Sequence, residues 1–105
     1  MESNRRECPR VQLERNVMLS GGYMSPQFSQ TKDISADGAF VELGENSLVF
    51  GTMVEMALSV QGDDGNAVYK IPAKVTRVTN NGVGIKFDGL DVDAYSVILG
   101  LLYAA

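Results

Sequence analysis

Apolar and polar residues alternate in stretch after stretch of this chain, and a two-residue period is the mark of a strand with one buried face. VQLERNVMLS is the first such stretch. Val11, Leu13, Val17 and Leu19 fall in phase, Arg15 breaks the apolar set, and the pattern predicts one half-buried strand. GGYMSP reads as a turn from its glycines and proline. QFSQTKDIS is mostly polar with isolated Phe28 and Ile34, which predicts a short or edge strand. GAFVEL predicts a strand with Phe40 and Glu42 on one face and Val41 and Leu43 on the other. GENSLVFG is a connection with room for one helical turn. MVEMALSV turns Val54, Met56, Leu58 and Val60 inward and Glu55 and Ser59 outward, and QGDDGN then carries a hairpin signal.

VYKIPAKVTRV predicts a long strand. Tyr69, Ile71, Ala73 and Val75 share one face, with Arg77 next in the same phase. Pro72 cannot donate to a ladder, so it belongs at an edge or a bulge. TNNG predicts a tight hairpin, because Asn and Gly accept positive φ. VGIKF returns with Val83, Ile85 and Phe87 on one face and Gly84 and Lys86 on the other. From Asp91 the period lengthens. DVDAYSVILGLLYAA places Val92, Tyr95, Ile98, Leu99 and Leu102 at helical spacing, with Asp91 or Asp93 to cap the start. About six short antiparallel strands and a closing helix predict an all-β protein, a small six-stranded antiparallel β-barrel with a C-terminal α-helix. Residues 1–12 are expected to form a flexible arginine-bearing arm, and residues 13–105 the barrel and helix.

Length and composition bound this picture. A chain of 105 residues, 45% hydrophobic and 21% charged, suits one globular domain. No apolar run reaches about 18 residues, and the N-terminus lacks the apolar core of a secretory signal. The single cysteine, Cys8, excludes an internal disulfide and points to a reducing compartment, so the expected location is the cytoplasm. Cys8 itself reads as a spacer.

Histidine is absent, which removes the commonest general base, Ser–His and Cys–His nucleophile pairs, and most zinc and copper sites. No catalytic residue and no metal ligand is expected. Asp63-Asp64 is the best carboxylate pair, but it lacks calcium-loop spacing and reads as a solvated hairpin tip. An enzyme, for instance a nucleotide phosphodiesterase, has no visible machinery.

The net charge of −4 argues against binding a nucleic-acid polymer. The charge is unevenly placed. Up to Lys32 the chain carries Arg5, Arg6, Arg10, Arg15 and Lys32 against Glu2, Glu7 and Glu14, a balance of +2, and the remainder has a balance of −6. A small arginine-rich head on an acidic body suits a compact anionic ligand.

Two short stretches sharpen this. TKDISADGAF contains Asp33, Ser35 and Gly38 as Asp-x-Ser-x-x-Gly, which alone reads as a turn with Gly38 at positive φ. RRECPR contains Arg6 and Arg10 as Arg-x-x-x-Arg, which alone reads as a solvated basic tail. Together, with one strand between them and the VTRV…NNGVGIKF hairpin and helix following, they resemble the PilZ domain family over nearly the whole chain. That resemblance implies a six-stranded barrel with a terminal helix, and a receptor for the bacterial second messenger cyclic di-GMP, with no cofactor. It assigns ligand binding to Arg6 and Arg10 of the first motif and to Asp33, Ser35 and Gly38 of the second. Arg5 precedes the pair, and in the family an arginine there accompanies two intercalated ligand molecules per chain.

The chemistry agrees. Guanidinium groups bind phosphate and guanine O6/N7 by paired donors and stack on base planes. A carboxylate such as Asp33 accepts from guanine N1–H and N2–H₂, Ser35 can bond a base edge or phosphate, and Gly38 permits close approach. Arg77 and Lys86 are further cations towards the rim, read more simply as solvated strand residues. The implied partners are cyclic di-GMP and an unidentified downstream protein, with a homodimer as a possible assembly and with no membrane. With one domain in view, the signal leaves through another protein, a change of oligomer, or a larger polypeptide. The alternative reading is a PilZ-like adaptor that acts through protein contacts without binding nucleotide.

Overall fold

The computed structural model describes residues 10–22, 24–44, 48–62 and 65–104. Arg5, Arg6, Cys8, Asp63, Asp64 and the centre of the GENSLVFG connection lie outside the described residues. The elements are β1 (Val11–Gln12), β2 (Asn16–Gly21), β3 (Met24–Ile34), β4 (Gly38–Glu42), β5 (Met53–Gly62), β6 (Gly65–Val78), β7 (Gly82–Phe87) and α1 (Val92–Ala104). The sheet order is β1-β3-β2-β5-β6-β7-β4, and β3 also pairs with β4. That last pairing closes β2 to β7 into a six-stranded antiparallel barrel, the architecture the alternation predicts, with β1 as an extra strand running along β3 beyond β2.

The barrel closes because its inward positions are consistently apolar. Val17 and Leu19 of β2 face Leu58 and Met56 of β5, and these pair in turn with the β6 residues Tyr69 and Ile71. Val83 and Ile85 of β7 oppose Val41 and Ala39 of β4. Leu19, Met56, Leu58, Ile71 and Val75 are fully buried, each burial contributing about 1.5–3 kcal/mol for a side chain of this size.

The helix lays Ala94, Ile98 and Leu101 onto this core, and the Asp91 carboxylate caps it by accepting from the Ala94 N–H at 2.8 Å. The predicted stripe is rotated: Val92 and Tyr95 are exposed, and of the buried residues only Ile98 was on it. The helix is apolar on nearly every side, so periodicity alone does not select the face that packs.

Three local expectations differ in instructive ways. The predicted first strand is two strands, because Thr31 of β3 inserts its hydroxyl between them. Thr31 is fully buried; its Oγ1 donates to the Leu13 carbonyl at 2.6 Å and accepts from the Arg15 N–H at 2.9 Å. The β3 strand is 11 residues long rather than short, but its first half has a ladder only with β2, so it is an edge there. Pro72 lies in β6, which is flanked on both sides, yet at Pro72 the β7 ladder has run out at Phe87. The Pro72 carbonyl accepts from the Asp88 N–H at 2.8 Å, so the ring nitrogen faces this frayed end, where no ladder donor is required.

Thr31 yields a stability prediction. Thr31→Val keeps the volume and deletes both hydroxyl bonds, leaving a backbone donor and acceptor unpaired at a buried site. The expected loss is about 1–3 kcal/mol, read as a lower urea midpoint with an unchanged slope. An unchanged midpoint would show that water or a shifted backbone replaces the hydroxyl.

Candidate functional site

Strict alternation would point Asp33 and Arg77 into the barrel. Thr31 and Val75, two residues before them, are both fully buried. In each case a β-bulge intervenes. Along β3 and β4 the register runs Thr31↔Val41 and then Asp33↔Phe40, and along β6 and β7 it runs Val75↔Ile85 and then Arg77↔Gly84. Each bulge sets two residues against one and shifts the phase, so Lys32 with Asp33, and Thr76 with Arg77, reach the outer wall.

Between the two bulges runs a row of outward positions: Asp33 opposite Phe40, Phe40 opposite Gly84, and Gly84 opposite Arg77. The glycines make this floor flat. A Cβ on Gly82 would lie 2.9 Å from Phe40 Cε2, and one on Gly84 would lie 3.2 Å from Arg77 Cβ. Phe40 therefore spreads across β7, only 7% exposed, with the Arg77 guanidinium 5.6 Å above its ring centroid.

A cavity of about 270 Å³ opens over this row, lined by Arg10, Lys32, Asp33, Phe40, Arg77, Thr79 and Asn81. It adjoins a broader one of about 570 Å³ that shares Lys32, Phe40 and Asn81 and reaches Glu42 and Asn80. Arg10 enters from the residue before β1, whose Gln12 pairs with Asp33. Its Nη1 lies 3.5 Å from Asp33 Oδ1, close enough for charge attraction but too long for a good hydrogen bond. Asp33 Oδ1 is buried and, among the described residues, accepts no hydrogen bond. A buried carboxylate oxygen without a donor is costly, and a shift of the neighbouring Arg10 side chain that brought it a donor would relieve that cost.

The smaller cavity thus holds three cations against one carboxylate on a chain whose net charge is −4. A neighbouring stretch of wall, which shares Ser29 with the broader cavity, contrasts with it. There Met18, Phe28, Ala57 and Val68 line an apolar hollow of about 480 Å³ with no charged side chain.

The structure places the other second-motif residues beside this cavity rather than in it. Ser35 is 2% exposed; its hydroxyl donates to Asp37 Oδ1 at 2.6 Å, and its N–H donates to the Gly38 carbonyl at 2.8 Å. Gly38 is not among the glycines with positive φ. It is glycine because a Cβ would lie 2.3 Å from the Ile85 carbonyl oxygen. The TNNG turn is built alike. The Thr79 N–H donates to the Gly82 carbonyl at 2.9 Å, its hydroxyl accepts from the Asn81 N–H at 3.1 Å, and a Cβ on Gly82 would lie 2.2 Å from the Val41 carbonyl oxygen. Here too the glycine serves close backbone approach, not positive φ. The two turns clamp opposite ends of the β4–β7 ladder, from Gly38↔Lys86 to Glu42↔Gly82.

Sequence reasoning missed Phe40, Lys32, Thr79 and Asn81 as cavity residues, and it favoured a solvated role for Arg77. The available signal was the GVG spacing of Gly82 and Gly84, which strips one strand face of side chains. Lys86 does not line the cavity. Among the described residues there is no cluster of three metal-binding side chains, and no helix is long and apolar enough to cross a membrane.

Comparison with known proteins agrees with this architecture. The PilZ domain family matches residues 4–104. No curated protein sequence matches the chain. Among solved structures, the chain is similar to the Bacillus subtilis inhibitor of motility MotI/DgrA, with a TM-score of 0.77 and 16% identity over 94% of this chain and 49% of that one. The present chain thus spans about half the length of that protein. It is also similar to the PilZ domain of CeSA from a cellulose-synthesizing bacterium, with a TM-score of 0.71 and 17% identity over 91% of this chain and 96% of that one. A third is the PilZ domain of YcgR from Escherichia coli, solved with c-di-GMP, with a TM-score of 0.69 and 15% identity over 95% and 93% of the two chains.

The close approach at Gly38 predicts a structural penalty separable from binding. Gly38→Ala drives a Cβ into a backbone carbonyl of β7, so the ligand-free protein should lose about 1–3 kcal/mol by thermal or urea denaturation. Full stability of that variant would mean that the hairpin can shift and that Gly38 is required for something other than packing.

Proposed function

Since the chain belongs to the PilZ domain family, we propose that it is a cyclic di-GMP receptor whose ligand sits on the outer barrel wall over Phe40. The observation that carries this reading is the cavity itself, with Arg10, Lys32 and Arg77 around an Asp33 oxygen that lacks a donor. The cations suit the ligand's phosphates. The Asp33 carboxylate, 21% exposed, suits guanine N1–H and N2–H₂, a donor edge that adenine does not offer. The YcgR PilZ domain, solved with the same ligand, has a similar fold.

Residues 1–12 act in this proposal as an arm that β1 anchors at its end. Arg6 lies four residues before Arg10, a reach of at most about 14 Å along an extended chain, so it can close over a ligand that Arg10 holds. Arg5 beside it supplies charge for a second, intercalated ligand. Ser35 and Gly38 contribute by holding the hairpin that presents Asp33. The activity is binding without catalysis, in the cytoplasm, and the ordered arm changes the surface offered to a downstream protein.

Calorimetric titration with cyclic di-GMP tests this. Two ligands per chain are expected, with Arg5→Ala moving the ratio towards one. Arg6→Ala and Arg10→Ala should each remove charge-assisted bonds of about 1.5–3 kcal/mol, weakening binding roughly ten- to a hundredfold. Wild-type protein that releases no heat and shows no binding would refute the receptor reading and favour the adaptor. Saturation at one ligand per chain would refute the intercalated pair.

A further inference from the structure

Arg77 belongs to neither sequence motif, yet it lines the same cavity as Arg10 and Asp33. Its position is specified by three independent features. The β6 bulge between Val75 and Arg77 turns it out of the core phase. Gly84 opposite leaves the space beside its Cβ clear. The Phe40 ring receives its guanidinium at 5.6 Å from the centroid.

Among the described residues Arg77 has no carboxylate partner. Its charge is therefore not spent on an ion pair. The guanidinium carbon lies over the Phe40 ring, and the side chain lines the cavity. A guanidinium restrained on an aromatic ring has already lost part of its rotamer freedom, so ordering it around a ligand costs less. A guanidinium plane suits a second planar π-system, and its N–H edges suit acceptors such as guanine O6 and N7 or a phosphate.

We propose that Arg77 is a ligand-binding residue, sandwiched between Phe40 and a purine base of the bound cyclic dinucleotide. This rests on the reading of the cavity as a cyclic di-GMP site. It adds a third arginine, contributed by β6, to the motif arginines at the N-terminus. A lysine there would keep the charge but lose the plane that stacks, so charge and stacking are separable by substitution.

The test compares wild type, Arg77→Ala and Arg77→Lys by calorimetric titration with cyclic di-GMP, alongside melting without ligand. Arg77 is exposed, so both variants should fold and melt within a few degrees of wild type. Arg77→Ala is expected to weaken binding about ten- to a hundredfold, and Arg77→Lys to recover only a few-fold of that loss. If wild type binds and Arg77→Ala binds equally well, the inference is overturned while the receptor reading stands. If Arg77→Lys restores full affinity, a point charge suffices and the stacked arrangement is overturned. If wild type itself does not bind, the receptor reading falls and takes this inference with it.

Discussion

A β-strand repeats every two residues, and a closed barrel enforces that repeat because nearly every inward position must be apolar. The candidate site exists where the repeat is broken. After Thr31 and after Val75, both fully buried, an added residue shifts the phase and sends Asp33 and Arg77 to the outer wall. Without those two bulges a carboxylate and a guanidinium would point into a core built from Leu19, Met56, Leu58 and Ile71, where unpaired charge costs several kcal/mol in desolvation. The bulges lie on either side of the β4–β7 pair, so one flat floor, Phe40 on Gly84, receives side chains from both directions.

That floor is rigid for a reason that is also local. The Ser35–Gly38 and Thr79–Gly82 turns close the two ends of the β4–β7 ladder with the same arrangement of hydroxyl, amide and glycine. Each glycine abuts a carbonyl oxygen of the neighbouring strand, at 2.3 Å and 2.2 Å from where a Cβ would stand. A binding site gains when its floor does not reorganise, since less free energy goes into ordering. Ser35 and Gly38 close the turn that follows Asp33, whereas Arg10, Lys32 and Arg77 line the cavity.

Much of this was legible from residue order. The alternation of Val54, Met56 and Leu58, and of Val83 and Ile85, located strands and their inner faces, because one-sided burial leaves a clear period. The two motifs pointed to the region of the cavity through Arg10 and Asp33. Other features had no such signature. A bulge adds one residue without a characteristic composition, so the phase of Arg77 and its place over the cavity were not legible, and it read as a solvated strand residue. The break between β1 and β2 depends on Thr31, a residue remote in the chain. The helix face was misplaced because an element apolar all round carries little phase information. Gly38 and Gly82 were read for conformational freedom, when the constraint is the distance between backbones.

The central claim is that ligand binds on the wall between the two bulges and not in the apolar hollow beside it. The most direct measurement follows backbone amide resonances of isotope-labelled protein during titration with cyclic di-GMP. The account predicts that the largest shifts fall at Lys32, Asp33, Phe40, Arg77, Asn81 and Gly84, with Met18, Phe28 and Ala57 nearly stationary. Shifts centred on Met18, Phe28 and Ala57, or on the exposed face of the helix, would contradict it.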